Sequence, residues 1–178
     1  EDLKGMKIRS TGLSSKIVSN LGAAPVGMPI AESYDSLMKG VVDGILMPVE
    51  GMKQWKIAEV TKYVTENYGS AYSVAFFCVM NKGKWNSLPP DIQKIIQKIN
   101  EEWIEKTGKL WDEIDREGKE FAQAKGIQFI KLPAAEEERW NARVRPLFDD
   151  YVNQMKARGL PGDKAVKFAV DYLKKNQK

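Results

Sequence analysis

An α/β fold, with a mostly parallel sheet and helices on its faces, is what the sequence predicts, and three observations predict it. Short apolar runs alternate with amphipathic stretches three times before residue 50, the pattern of successive strand and helix steps. Two extended runs, Val60–Thr65 and Tyr72–Asn81, then follow each other with no helix between them, which suggests strands crossing between two lobes. A helical stripe of more than thirty residues next runs from Pro89 and Pro90 to Gly126. That is too long for one face of a small sheet, and the economical reading is a helix spanning both lobes.

The first strand lies within Leu3–Gly12, where Gly5 and Gly12 bracket a period-two pattern: Met6, Ile8 and Ser10 against Lys7, Arg9 and Thr11. Arg9 thereby reaches a strand's carboxyl end. In open α/β sheets small ligands bind in the crevice outside those ends, and a guanidinium there can hold a carboxylate through two parallel charge-assisted hydrogen bonds. An ordinary packing arginine is the other reading of these residues.

The remaining elements follow in order. Ser14 and Ser15 can cap a helix whose apolar face is Leu13, Ile17, Val18 and Leu21, with Gly22 as its stop. Ala24–Met28 reads as a strand, Glu32–Lys39 as a helix burying Tyr34, Leu37 and Met38, and Val41–Met47 as a third strand ending at Pro48. Its end points into the same crevice, where Leu46 and Met47 can contact a ligand or simply cover the helix behind them. Asp43 before Gly44 suits a turn or bulge better than an acid poised for proton transfer. A further helix starts near Glu50 and carries Met52 and Trp55. Tyr68, Gly69 and Tyr72 sit at the junction of the two extended runs, the place for a hinge or a pocket wall.

In the long helix Ile92, Ile95, Ile96, Ile99 and Trp103 form a stripe continued by Leu110, Ile114 and Phe121, with Gly108 and Gly118 as places to bend. Its apolar spacing keeps no strict heptad, which disfavours a coiled coil. Ile127–Leu132 is one more strand. The next helix, Ala135–Ala157, must bend at Pro146, whose ring removes a hydrogen bond and clashes one turn back. Gly159 ends it, and a last helix after Gly162–Asp163 packs Val166, Ala169, Val170 and Leu173.

Composition narrows function. With 28 Lys and Arg against 24 Asp and Glu, the net charge of +4 is dispersed and no basic run is interleaved with aromatics, so nucleic acid is not the expected partner. Histidine is absent, which removes the commonest general base and metal ligand. The lone Cys78 lies in an apolar run and reads as a buried, inert thiol, so no disulfide or cysteine metal site is expected. No stretch approaches the roughly 20 apolar residues of a membrane span. The chain opens on Glu1 without an initiator methionine or signal peptide, as a processed protein or a portion of a longer one would.

The chain resembles the solute-binding subunit of tripartite ATP-independent periplasmic (TRAP) transporters over essentially its whole length. The likeness rests on the ordered blocks Asp2–Arg9, Leu21–Ala23 with Pro25–Pro29, Gly40–Gly44 followed by Pro48, Glu59–Val60, and Asn81 through Trp85 to Leu88–Pro89. It implies a type II periplasmic-binding-protein-like architecture of two lobes with a long lobe-spanning helix, the first lobe being largely missing from this chain. It further implies a periplasmic protein that closes on an organic acid and delivers it to a membrane permease driven by an ion gradient, with no cofactor and no catalysis. On this view residues 1–70 are an α/β unit of the second lobe. Residues 71–126 supply a crossover strand and the long helix to the first lobe and hinge. Residues 127–178 return to pack on the second lobe.

The resemblance implies that Arg9 salt-bridges the ligand carboxylate and that Ile30, Leu46 and Met47 line the site; from their place at the junction, Tyr68 or Tyr72 is expected to close its side. The family pattern has a polar Glu-Asn pair where this chain has Leu46-Met47, and often an aromatic at Ile30. Apolar side chains offer a sugar acid or small dicarboxylate no hydrogen bonds, so the expected ligand is a monocarboxylate with an apolar or aromatic body, such as a 2-oxo acid. Without another lobe, Tyr72–Met80 and the stretch around Ile95–Trp103 are expected to expose apolar surface, relieved by self-association or by a retained partner fragment. Two alternatives stand beside this reading: an α/β enzyme using Asp43 or Glu50 with Arg9, and a helical protein-interaction module.

Overall fold

The computed structural model describes residues 2–70 and 76–176. Strand β1 (Lys7–Ser10) leads through helix α1 (Leu13–Leu21) to β2 (Ala24–Gly27). A 3-10 turn over Ile30–Glu32 enters α2 (Ser33–Met38), and β3 (Gly44–Ile45) completes a parallel sheet in the order β2-β1-β3. Arg9 stands opposite Val26 on one side and Ile45 on the other. The predicted α/β class is therefore present from the first fifty residues.

The third strand pairs over two residues instead of the expected seven. Val41 and Val42 are instead held by the Ser36 carbonyl, while Asp43 closes a main-chain bracket with Lys7, its N–H donating to the Lys7 carbonyl at 2.8 Å and its Oδ2 accepting the Lys7 N–H at 2.8 Å. Asp43 is thus the turn device its setting suggested. The α1 cap differs from the expectation as well: Gly12 stands at the cap position with no side-chain bond, and the Ser14 hydroxyl folds back onto the main chain of Thr11.

Helix α3 (Gly51–Gln54) and a 3-10 turn at Ile57–Glu59 lead to β4 (Tyr63–Glu66), which pairs in parallel with β5 (Gln128–Lys131) in a second sheet. Between them come α4 (Lys82–Asn86) and the 35-residue α5 (Pro90–Ala124), bounded as the prolines and Gly126 foretold. Pro146 splits the following helix into α6 (Ala134–Val144) and α7 (Pro146–Ala157), and α8 (Gly162–Asn176) ends the described chain. The main core joins Met52, Ile57, Ala58, Ala122 and Ile127, so only the last turns of α5 are built into it. Ile95, Ile99, Trp103, Ile104 and Leu110 stay exposed.

The expected strand Tyr72–Asn81 is not formed over Phe76–Met80, which runs without regular structure and is exposed throughout. Its beginning lies outside the described residues. Cys78 is consequently exposed, not buried as its apolar neighbours suggested. The segment touches the long helix where Phe76 stacks on Trp111 with ring centroids 4.9 Å apart. Exposed apolar surface at Phe76, Phe77, Val79 and Met80, and along α5, agrees with the sequence expectation.

Candidate functional site

Arg9 occupies the carboxyl-terminal half of the central strand, flanked on both sides by parallel neighbours. It is 8% exposed, an unusual position for a guanidinium. The burial is compensated locally: Nε and one terminal nitrogen both donate to the Met28 carbonyl, at 3.1 and 2.9 Å. Met28 lies just beyond the end of β2, so the neighbouring strand end braces the arginine. On the other side the Leu46 N–H donates to the Arg9 carbonyl at 3.0 Å, fixing the start of the β3 exit loop beside it. Ile30, half-buried, begins the turn two residues after Met28. Arg9, Ile30 and Leu46 therefore belong to one end of one sheet.

The remaining expected contacts are placed differently. Met47 is half-buried and packs against the main core, its Sδ and Cε lying over Gly51 where a Cβ would stand 2.9 and 2.8 Å from them. It thus lies over α3. Tyr68 is 81% exposed beyond β4, on the other sheet, and its hydroxyl donates to Glu66 Oε1 at 3.3 Å. Partial desolvation, together with the Glu66 carboxylate, pushes the Tyr68 phenol above its ordinary range. Tyr72 lies outside the described residues. A depression of about 290 Å³ lined by Ser15, Ser19, Asn20, Pro25 and Leu147 includes none of these residues.

Sequence reasoning missed two features. The Met28 carbonyl that orients Arg9 is main chain and leaves no side-chain signal. Ser10, next to Arg9 and fully buried, shares a hydroxyl contact of 3.1 Å with Ser15, tying the strand end to α1. The alternation that put Ser10 opposite Arg9 could have flagged it.

The acids proposed for catalysis are engaged elsewhere. Asp43 caps the Lys7 main chain, and Glu50 is buried at the contact with α5, where desolvation, reinforced by Asp115, pushes its carboxyl up against the pull of nearby backbone N–H groups. Among the described residues no group of three His, Cys, Asp or Glu could hold a metal ion, and no helix is long and apolar enough to cross a membrane.

The sheet end thus presents a buried arginine whose guanidinium is braced by a main-chain carbonyl of the neighbouring strand, on a parallel α/β scaffold. The chain belongs to the bacterial extracellular solute-binding protein family 7, whose model it matches over residues 1–154. It is 29% identical over 171 residues to the dicarboxylate-binding periplasmic protein DctP of Rhodobacter capsulatus, covering 93% of this chain and 50% of that protein. Among solved structures it superposes with a TM-score of 0.86 and 34% identity on a TRAP solute-binding protein from an unidentified marine microbe, specific for aromatic acid ligands and complexed with metahydroxyphenylacetate; that match covers 99% of this chain and 57% of the other. A TRAP solute-binding protein of Rhodoferax ferrireducens, crystallised with copurified benzoate, gives a TM-score of 0.83 at 31% identity over 98% of this chain and 56% of its own. The chain thus spans about half the length of these relatives and has the fold of the matching part of their two-lobed α/β architecture. Its relatives are solute-binding proteins, and neither the enzyme nor the helical interaction module finds support among them.

Proposed function

We infer that the full-length protein is the periplasmic solute-binding subunit of a TRAP transporter, that it captures an organic acid through its carboxylate, and that it hands this acid to a membrane permease driven by an ion gradient. Arg9 is the carboxylate clamp. The observation that carries this reading is its burial at the central strand's end with the guanidinium braced by Met28. A guanidinium held by its own protein loses little freedom on meeting a carboxylate, and a water-poor setting strengthens the pair. Ile30 and Leu46 furnish apolar walls at the same sheet end, and Met47 supports them from the core side. These walls favour a monocarboxylate with an aromatic or apolar body over a sugar acid. The aromatic acids held by relatives at 31–34% identity support that class.

The division into an α/β unit over 1–70, a crossover and long helix over 71–126, and a returning segment over 127–178 belongs to the same reading. So does self-association of the isolated chain through the exposed stripe of α5. Thermal unfolding of the full-length protein against benzoate, succinate and galacturonate tests the function, since a ligand that binds only the folded state raises the melting temperature by mass action. Benzoate is expected to give the largest rise and Arg9→Ala to abolish it. A rise that survives Arg9→Ala would remove Arg9 as the clamp, and the largest rise with galacturonate would overturn the apolar-ligand assignment.

A further inference from the structure

Glu50 sits where the loop leaving the β1-β2-β3 sheet meets the long helix. It is 8% exposed, and its Oε2 is buried without a hydrogen-bond partner among the described residues. Across the joint stands a second acid: Asp115 of α5 accepts the Glu50 N–H through Oδ1 at 3.3 Å. The contact has no slack, because a Cβ on Gly118 would stand 2.5 Å from the Val49 carbonyl oxygen and 2.7 Å from Glu50 Cα. The nearby lysines do not neutralise Glu50: Lys53 pairs with Glu117 at 2.6 Å, and Lys119 pairs with Glu66. Met52 of α3 and Ala122 of α5, on the two elements that meet here, belong to the apolar core.

An ionised carboxylate with an orphan oxygen, close to another carboxylate in a tight joint, is costly, and the protonated acid costs much less. We propose that Glu50 is a proton-dependent latch between α3 and α5: protonated, it lets the helix seat on the 49–52 segment, and ionised, it loosens that seat. Burial and the Asp115 charge raise the pH at which the proton leaves and outweigh the opposing pull of the Gly51 and Glu50 backbone N–H groups, so the change falls above the ordinary glutamate value. Because the folded-state value is raised, the latch contribution is complete below the unfolded value and is lost as pH rises through the folded one. The latch concerns folding and not ligand capture, so its failure is distinguishable from failure of the carboxylate-clamp reading.

The test is a set of thermal unfolding profiles of the ligand-free full-length protein across mildly acidic to mildly alkaline pH, together with a carbon-13 NMR titration of the Glu50 carboxyl. Wild type is expected to lose melting temperature as Glu50 ionises. Glu50→Gln, which keeps the shape without the charge, is expected to flatten that loss and to be the more stable protein at the alkaline end. Asp115→Asn keeps the acceptor for the Glu50 N–H while removing the facing charge, and should move the Glu50 titration to lower pH. A Glu50 carboxyl titrating at the ordinary glutamate value overturns the latch, as does a Glu50→Gln profile parallel to wild type. The NMR arm decides the matter if the variants fold poorly.

Discussion

Gly118 in the long helix and Val49 after β3 approach so closely that a Cβ on the glycine would lie 2.5 Å from the Val49 carbonyl oxygen. Backbone, not a yielding side chain, occupies that space, so Gly118→Ala must push α5 off its seat. The expected cost is about 1–3 kcal/mol, the range for overpacking a well-filled contact. Gly108 is its internal control, lying in the same helix with nothing within 4 Å of a built Cβ. Gly108→Ala should stabilise by roughly 0.5–1 kcal/mol by removing helix-interior glycine entropy. Urea unfolding of the two variants side by side reads both signs, and equal signs would refute the close-approach account.

Arg9 carries a structural duty as well as its proposed ligand contact, because its Nε and a terminal nitrogen donate to the Met28 carbonyl. Arg9→Ala should therefore destabilise even the ligand-free protein, by about 1–3 kcal/mol for the unpaired carbonyl. Arg9→Lys keeps the charge but lacks the planar fork. It should preserve more stability than alanine while weakening carboxylate binding on the order of tenfold. Calorimetric titration alongside thermal unfolding separates the two effects.

How much of this could be read from the chain depended on whether a signal was local. Proline at 89 and 90 and Gly126 marked both ends of α5, and Pro146 marked the break between α6 and α7, because ring sterics and left-handed glycine act on the backbone where they stand. Arg9 was placed at a strand end by period-two alternation alone. What failed depended on distant partners. The Val41–Met47 run could not reveal that Ser36 and Lys7 would claim its first main-chain groups, leaving only Gly44 and Ile45 to pair. The apolar text around Cys78 reads as buried strand, yet Phe76–Met80 is exposed and without regular structure, with Phe76 stacked on Trp111.

Lys119 and Glu66 tie α5 to β4 through a short ion pair that Tyr68 also joins, and Lys119 further lies over the Phe129 ring at 5.1 Å. The hydrogen bond to Glu66 is the leading cause that raises the lysine pKa. A raised folded value means stability that is complete below the unfolded lysine value of about 10.4 and is lost as pH climbs through the folded one. Glu66→Gln should therefore lower the melting temperature at neutral pH, with the gap to wild type closing only in strongly alkaline solution. Because Lys119 is partly exposed, added salt should narrow the same gap. A gap indifferent to both would show that the pair contributes nothing to holding the helix.

Cys78 gives the most direct check on the segment leading to the long helix. A thiol in a buried strand reacts with a disulfide reagent only after unfolding, whereas an exposed one reacts at the rate of a small-molecule thiol of similar acidity. The structure places Cys78 in the open, between exposed Phe77 and Val79. Native labelling of the chain should therefore be fast and stoichiometric, with denaturant adding little to the rate. Self-association through the exposed face of α5 and the neighbouring phenylalanines would slow it in proportion to protein concentration, since burial in an association interface shields the thiol. Labelling rates measured across a dilution series thus read the exposure of Cys78 and the proposed self-association together. Protection that persists at the lowest concentration would contradict the open placement of the segment, and rates independent of concentration would count against the association.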